Sequence, residues 1–425
     1  MNRKQFLKSL AAGGAGLAFG SNRSAAAPHP LEDLLPDVSA SESLQSWEGI
    51  RRLFPLRRDR AYLNTGGLGP PPVAVLDAVA RQNRIQAVAG ETHHRLLHEV
   101  RETTAQFLGA EPSEISFTRN ASEGNSIIAA GLDLQPGDEV LFESHAHPGG
   151  SMPWMNRQKR DGIRVRIFEP DPDSPEANLE RLFSAVTPRT RVIQVSHITA
   201  PTGIVFDLPA IAREARERGI WFHVDGAQSP GMIPVNLHRS GCDSFAASGH
   251  KWLNGPQETG MLYIAKSRLD EVACSHVGAY SNDDYRLPDV FSYAPTARRH
   301  EYGTRNAASV AGLGAAIELQ NRIGRKRIAA RGRRLAERAR RLLSKIDDVA
   351  ILTPAHESMY AAMLTFRIDS FEAHDLARTL ASTHNLRCRA VTERNLNAVR
   401  TSWHIYNNQS EVERLAEAVA SLTRG

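Results

Sequence analysis

The sequence predicts an α/β protein: a mainly parallel sheet with helices on both faces, followed by a smaller α+β domain. Three observations carry this expectation. Short apolar runs such as "EVLFES", "RVIQVSHI", "WFHVDGA", "SFAASGH" and "GMLYIA" alternate with helical stretches such as "DLPAIAREARERG", the order that strand–helix–strand crossovers impose. Polar residues collect at the ends of those runs, where open α/β sheets bind ligands. Near Ala311 the texture shifts to an arginine-rich helical stretch, and "AAMLTFRI", "LRCRAV" and "AVRTSWHIY" then read as strands before a last helix from about Ser410. At 425 residues, 41% hydrophobic and 23% charged, the chain has material for about two domains.

In chain order, residues 1–27 read as an export signal. They have a basic head, an uncharged stretch from Ser9 to Asn22 and an Ala25-Ala26-Ala27 end suited to a signal peptidase. Arg3-Lys4-Gln5-Phe6-Leu7-Lys8 resembles a twin-arginine motif whose second arginine is lysine. The expected location is the periplasm, reached through the export machinery; the alternative is a cytoplasmic protein with a frayed amino-terminal tail. Residues 28–45 form a polar, proline-containing linker, 46–315 the large domain with its N-terminal segment, and 316–425 the small C-terminal domain. "AAIELQNRIGRKRIAARGRRLAERARRLLSKI" reads as one long helix with its arginines on a solvated face.

Composition removes several function classes. Arg3, Lys4, Lys8 and Arg23 supply four of the +5 formal charge, and the first 27 residues contain no acid. The remainder is close to neutral, without a basic stripe for nucleic acid. Cys242, Cys274 and Cys388 are too scattered for a disulfide framework or a CxxC metal site. His145-Ala146-His147 has no accompanying carboxylate or cysteine cluster, so no metal is expected. No run after the signal approaches the roughly 20 apolar residues of a membrane span.

The chemistry gathers at run ends. Asp225 ends "WFHVD", and Lys251 follows "SFAASGH" about 26 residues later. An acid and a lysine at neighbouring strand tips are either an ion pair or a pyridoxal 5'-phosphate site. In the latter the lysine binds the cofactor covalently and the acid keeps the pyridine nitrogen protonated. Burial would lower the lysine pKa from its free value of about 10.4. "ISFTRNASEGN" passes from strand to helix through Asn120, Ala121 and Ser122. Its helix N-terminus suits a phosphate, and Ser122 alone would also serve as an N-cap.

"HVDGAQSPG" followed by "ASGHKWLNGPQETGMLYI" resembles the class V aminotransferase-fold enzymes, which include cysteine desulfurases, kynureninases and isopenicillin N epimerase. The resemblance covers nearly all of the chain after Ser46. It implies fold type I of the pyridoxal-phosphate enzymes, with a seven-stranded large-domain sheet. It makes Lys251 the covalent anchor, Asp225 the partner of the pyridine nitrogen, and Gln228 a donor to the ring hydroxyl. Ala121, Ser122, Ser248 and His250 match phosphate contacts. Gly303 and Thr304 match a loop that reaches the neighbouring subunit's phosphate, implying a homodimer with shared sites. His145 matches the ring-stacking residue, with His147 as the alternative. Arg400 matches the arginine that holds the substrate α-carboxylate, and Asn64 lies in the loop that closes over the site.

Two departures narrow the reaction. Residues 391–399 lack the nucleophilic cysteine of desulfurases, and Ala200 stands where many desulfurases have asparagine. Both point to the epimerase-like branch. The combination with an export signal is similar to exported pyridoxal enzymes that tailor siderophore side chains. The expected activity is chemistry at the Cα of an amino acid or an amino-acid-bearing peptide, with transamination or a related oxidative modification first and epimerisation or C–S lysis behind. A non-catalytic binding protein on the same fold is the alternative of another class.

Overall fold

A computed structural model of the chain describes residues 44–424. The export signal and nearly all of the linker lie outside the described residues. The central sheet is built from β1 (Ile115–Thr118), β2 (Glu139–Glu143), β3 (Arg164–Phe168), β4 (Thr190–Ser196), β5 (Trp221–Asp225), β6 (Ser244–Ser248) and β7 (Gly260–Ile264). Side by side they run β1-β7-β6-β5-β4-β2-β3, and only β7 is antiparallel to its neighbours.

The apolar runs are continuous because both faces of this sheet are covered. In β6, Phe245 and Ala247 enter one core and Ala246 the other; in β7, Met261 and Tyr263 part from Leu262 and Ile264 in the same way. This period-two division is what a strand buried on both sides requires. The crossover helix Leu208–Glu217 starts at Asp207, whose side chain accepts from Ala210 N–H. It buries Leu208, Ile211, Ala212 and Ala215, the three- and four-residue spacing of one helical face. Parallel strands place the C-terminal ends of β1, β2, β4, β5 and β6 along one edge, and the site forms there.

A second sheet contains β8 (Val349–Ile351), β9 (Met363–Ile368), β10 (Arg389–Val391) and β11 (Ala398–Ser402), in the antiparallel order β8-β9-β11-β10. Leu364, Phe366, Val399 and Trp403 pack there with Leu335, Ala336 and Leu343 of helix Arg325–Leu343. Ala61 and Leu63 share this core, and Ala61–Tyr62 pairs in parallel with Leu386–Arg387. The N-terminal segment, grouped by sequence with the large domain, therefore closes onto the small sheet.

Three local readings change. The single long helix is two, Ala307–Ile323 and Arg325–Leu343, divided at Gly324 with φ of +97°, a value that interrupts a right-handed helix and that glycine adopts freely. Most arginines of the second helix are only half-exposed and tied to the protein, with Arg334 and Arg341 left in solvent. Arg331 donates to Asn407 O at 2.8 Å, Arg340 to Thr353 O and Pro354 O, and Arg333 lies over the Tyr360 ring. "LRCRAV" is not one strand: it splits at Cys388, its first part joining Ala61–Tyr62 and its second joining β11. Among the described residues no helix is long and apolar enough to cross a membrane.

Candidate active site

Asp225, at the tip of β5, is 4% exposed. Its Oδ1 accepts from Ala227 N–H at 3.0 Å and its Oδ2 from Asn125 Nδ2 at 3.1 Å. Asn125 is oriented in turn by His223, two residues before Asp225 on the same strand face. His223 Nε2 is 2.9 Å from Asn125 Oδ1, and its Nδ1 is 2.8 Å from Ser244 Oγ, which accepts from Trp221 Nε1 at 3.0 Å. One proton assignment satisfies the chain: Ser244 O–H donates to His223 Nδ1, and His223 Nε2–H donates to Asn125. Burial pushes the His223 pKa down to about 3, so the imidazole is neutral. The network thus delivers N–H donors to Asp225 without adding a competing positive charge.

Lys251 follows β6 in a tightly tied turn. Gly249 N–H donates to Thr259 O, and Asn254 N–H to Lys251 O. Gly69 N–H donates to His250 O at 2.7 Å, and a Cβ at Gly69 would stand 1.7 Å from Lys251 O. Only glycine permits the N-terminal segment to approach the lysine backbone so closely. Burial pushes the Lys251 pKa down to about 8; Asp225 opposes the shift, and Arg400 and Arg389 add to it.

The helix Ala121–Gly131 brings its N-terminus to the same edge. Asn120 caps it by accepting from Glu123 N–H at 2.9 Å, and Ala121 N–H donates to Ser248 Oγ at 3.1 Å. Ser122 is exposed in its first turn beside Gly149, where a Cβ would lie 2.2 Å from Ser122 Oγ. His250 Nδ1 is buried with no hydrogen-bond partner. Burial, with the Lys251 charge, pushes the His250 pKa down to about 4.

Arg400, in β11, is 1% exposed. Its Nη1 donates to Ala200 O at 2.7 Å and its Nη2 to Asn64 Oδ1 at 3.3 Å, while its Nε has no partner. Among the described residues no carboxylate hydrogen-bonds to it, and burial pushes its pKa down to about 9. Gln228 donates from Nε2 to Gly66 O at 2.9 Å and accepts from Trp252 Nε1 at 2.8 Å. The segment Asn64–Gly66 therefore joins Arg400 to the loop after β5.

The two histidines after β2 separate. His147 caps helix Pro148–Asp161, accepting from Gly149 N–H at Nδ1. Its basicity is lowered by burial and then by Lys251, with Asp225 opposing, so this ring lies in their field. His145 turns the other way: Nδ1 is 3.0 Å from Thr202 Oγ1 and Nε2 is 3.8 Å from Glu169. His147 thus lies in the field of Lys251 and Asp225, and His145 in that of Glu169, Arg394 and Glu393. Thr304 is exposed and lines a cleft of about 250 Å³ with Arg119, Glu258 and Thr259 beside the ends of β1 and β7. Gly303 precedes it with φ of +67°.

Sequence reading missed Asn125, His223, Arg389, Glu393 and Glu143. Asn125 had a signal, lying one helical turn from Ala121, and so did His223, two residues from Asp225 in a strand. Arg389 had none, because its place depends on pairing with β11. Glu143, fully buried at the end of β2, accepts from Ser196 N–H at 3.0 Å, and burial pushes its pKa up to about 7. Among the described residues no group of three or more His, Cys, Asp or Glu side chains is placed to hold a metal ion.

Residues 74–415 match the family model described as Aminotransferase class-V. A probable cysteine desulfurase from Methanothermobacter thermautotrophicus is 32% identical over 400 residues, covering 88% of this chain and 98% of that protein. Isopenicillin N epimerase from Streptomyces clavuligerus is 30% identical over 397 residues, covering 90% and 99%. A solved C-DES mutant with glycine covalently linked to its pyridoxal-phosphate cofactor superposes with a TM-score of 0.80 at 27% identity, covering 87% of this chain and 98% of that one.

The residues present fit such a cofactor. A lysine of lowered basicity, an acceptor-only carboxylate, an unpartnered buried histidine nitrogen and a helix N-terminus meet at one sheet edge. The lysine would supply a covalent anchor, the carboxylate a counter-charge for a protonated ring nitrogen, and the histidine nitrogen and helix N-terminus polar contacts for a phosphate. The chain belongs to the class V aminotransferase family, an enzyme of pyridoxal-phosphate fold type I with pyridoxal 5'-phosphate as its cofactor.

Proposed function

We propose that this enzyme acts at the Cα of an α-amino acid, free or at the end of a peptide, and that its principal reaction is transamination. The observation that carries the reading is Arg400: a fully buried guanidinium to which no carboxylate among the described residues hydrogen-bonds, within electrostatic reach of Lys251. Leaving a charge in that state is costly unless a ligand completes it. A planar fork of N–H donors is complementary to an α-carboxylate.

Bound pyridoxal phosphate supplies an electron sink that acidifies the Cα–H bond. Lys251, with its pKa near 8, offers a neutral amine to accept the Cα proton and return it. Asp225 holds a negative charge for the ring nitrogen through its bonds from Asn125 and Ala227. His147, in the field of Lys251 and Asp225, would cover the ring, and Ser122, Ser248 and His250 would hold the phosphate. Arg400 and Asn64 orient the substrate, and Gly303-Thr304 of one protomer completes the site of its partner in a homodimer. One lysine moving one proton along one face suffices for transamination.

Cys388 supports no persulfide chemistry: it is fully buried and burial pushes its thiol up to about 12. The second reading is epimerisation, favoured by the isopenicillin N epimerase relatives. We further propose export to the periplasm, from the pattern of residues 1–27, and a siderophore-type peptide as one substrate class.

With a panel of amino acids and peptides in heavy water, the expected result is conversion of the cofactor to its amine form with release of an equal amount of α-keto acid, and deuterium at the Cα of recovered, unconverted substrate with its configuration retained. Lys251→Ala should slow the exchange by roughly a hundredfold to ten-thousandfold. Exchange with scrambled configuration and no amine form would replace transamination by epimerisation; no exchange on any substrate would refute both. The apoprotein should combine with pyridoxal phosphate faster as pH rises, with a midpoint near 8 rather than 10.5, because the neutral lysine is the reactive form. Asp225→Asn should move that midpoint lower, since Asp225 favours the charged lysine; stopped-flow absorbance reads both. A reporter fused behind residues 1–40 should appear in the periplasm and lose that location on deletion of Met1 to Ala27; an unchanged distribution would refute export.

A further inference from the structure

The register of the second sheet places Arg389 of β10 directly opposite Arg400 of β11. Directly opposed side chains of an antiparallel pair leave the same face, their Cβ atoms about 4.5–5.5 Å apart, and like charges so placed repel. Anions must therefore be divided between them. Among the described residues Glu393 supplies one, paired with Arg389 Nη2 and fixed by accepting from Thr392 N–H at 3.1 Å. Arg389 Nη1 and Arg400 Nε are both buried with no hydrogen-bond partner. Both arginines disfavour the charged form of Lys251, and Arg389 disfavours that of Arg400. Two guanidiniums and one carboxylate leave one positive charge and idle N–H donors beside the lysine.

We propose that Arg389 is the second arm of a carboxylate clamp, so that the substrate α-carboxylate is shared between Arg400 and Arg389 while Glu393 fixes the Arg389 fork. The inference rests on the reading that an α-amino acid binds at Lys251. One added carboxylate balances the two arginines against Glu393. A neutral α-amide leaves the excess charge in place and is rejected. Glu393 thereby becomes a positioning residue, acting through Arg389.

The test is a binding titration of the holoenzyme with L-alanine, L-glutamate and L-phenylalanine and with their α-amides, followed through the cofactor's visible absorption. The wild type should bind each acid at least about tenfold more tightly than its amide. Arg389→Ala should weaken the acids by about tenfold to a hundredfold and leave the amides unchanged. Arg389→Lys, which keeps the charge and loses the fork, should fall between. If Arg389→Ala no longer holds the cofactor, Arg389→Lys decides alone, and an unchanged acid-to-amide ratio overturns the clamp. Equal losses for acids and amides, or no loss, also overturn it. A wild type that binds acids and amides equally, or neither, removes the clamp together with the α-amino acid reading. An acid preference untouched by either variant removes the clamp alone.

Discussion

The site depends on one electrostatic constraint: Asp225 must remain an anion with almost no water around it. Removing a carboxylate from water costs several kcal/mol even after relaxation. Two N–H donors, from Asn125 and Ala227, offset part of this at about 1.5–3 kcal/mol each. Asn125 is itself fixed by a neutral chain, His223, Ser244 and Trp221, so the negative charge is not cancelled in place. It is left to act on Lys251, and would serve as counter-charge to a protonated cofactor ring. Lys251 is balanced in the opposite sense. Its desolvation and the two arginines outweigh the attraction of Asp225, and the amine is partly neutral near pH 8.

Backbone proximity carries that balance to the rest of the fold. Gly150 lets helix Pro148–Asp161 meet β4 and β5, because a Cβ there would lie 2.9 Å from both Asp225 Oδ2 and Gln194 Nε2. Gly66 allows the N-terminal segment to touch Arg400 and Gln228 together, with a Cβ position 2.9 Å from Arg400 Nη2 and 3.0 Å from Gln228 Oε1. The large sheet supplies the lysine and the acid, the small sheet the arginines, and residues 64–69 bind the two groups to each other. A small shift of either sheet would alter the charge state of the lysine as well as the grip on a carboxylate.

Much of this was legible in the sequence because parallel strands end at one edge. A run that stops at Asp225 and a run that leads to Lys251 must deliver both residues there, whatever the details of packing. Asn120 announces the helix N-terminus through its capping chemistry. What could not be read was lateral pairing. Arg389 and Arg400 are eleven positions apart and become neighbours only through the β10–β11 register. His145 and His147 lie in a loop, where no strand period assigns a direction. Gly324 was visible inside the arginine-rich stretch, but a glycine there is compatible with a weak point or a break, and the φ of +97° decides it. Cys388 looked like one position of a continuous strand because Leu386–Arg387 finds its partner more than 300 residues earlier, at Ala61–Tyr62.

The central claim is that the desolvated amine of Lys251 is the covalent seat of the cofactor. Reduction of the holoenzyme with borohydride, followed by peptide mapping with mass spectrometry, tests it most directly. The account predicts a single pyridoxyl-phosphate adduct, on Lys251. An adduct on a surface lysine such as Lys266, or no adduct with the cofactor still bound, would contradict it.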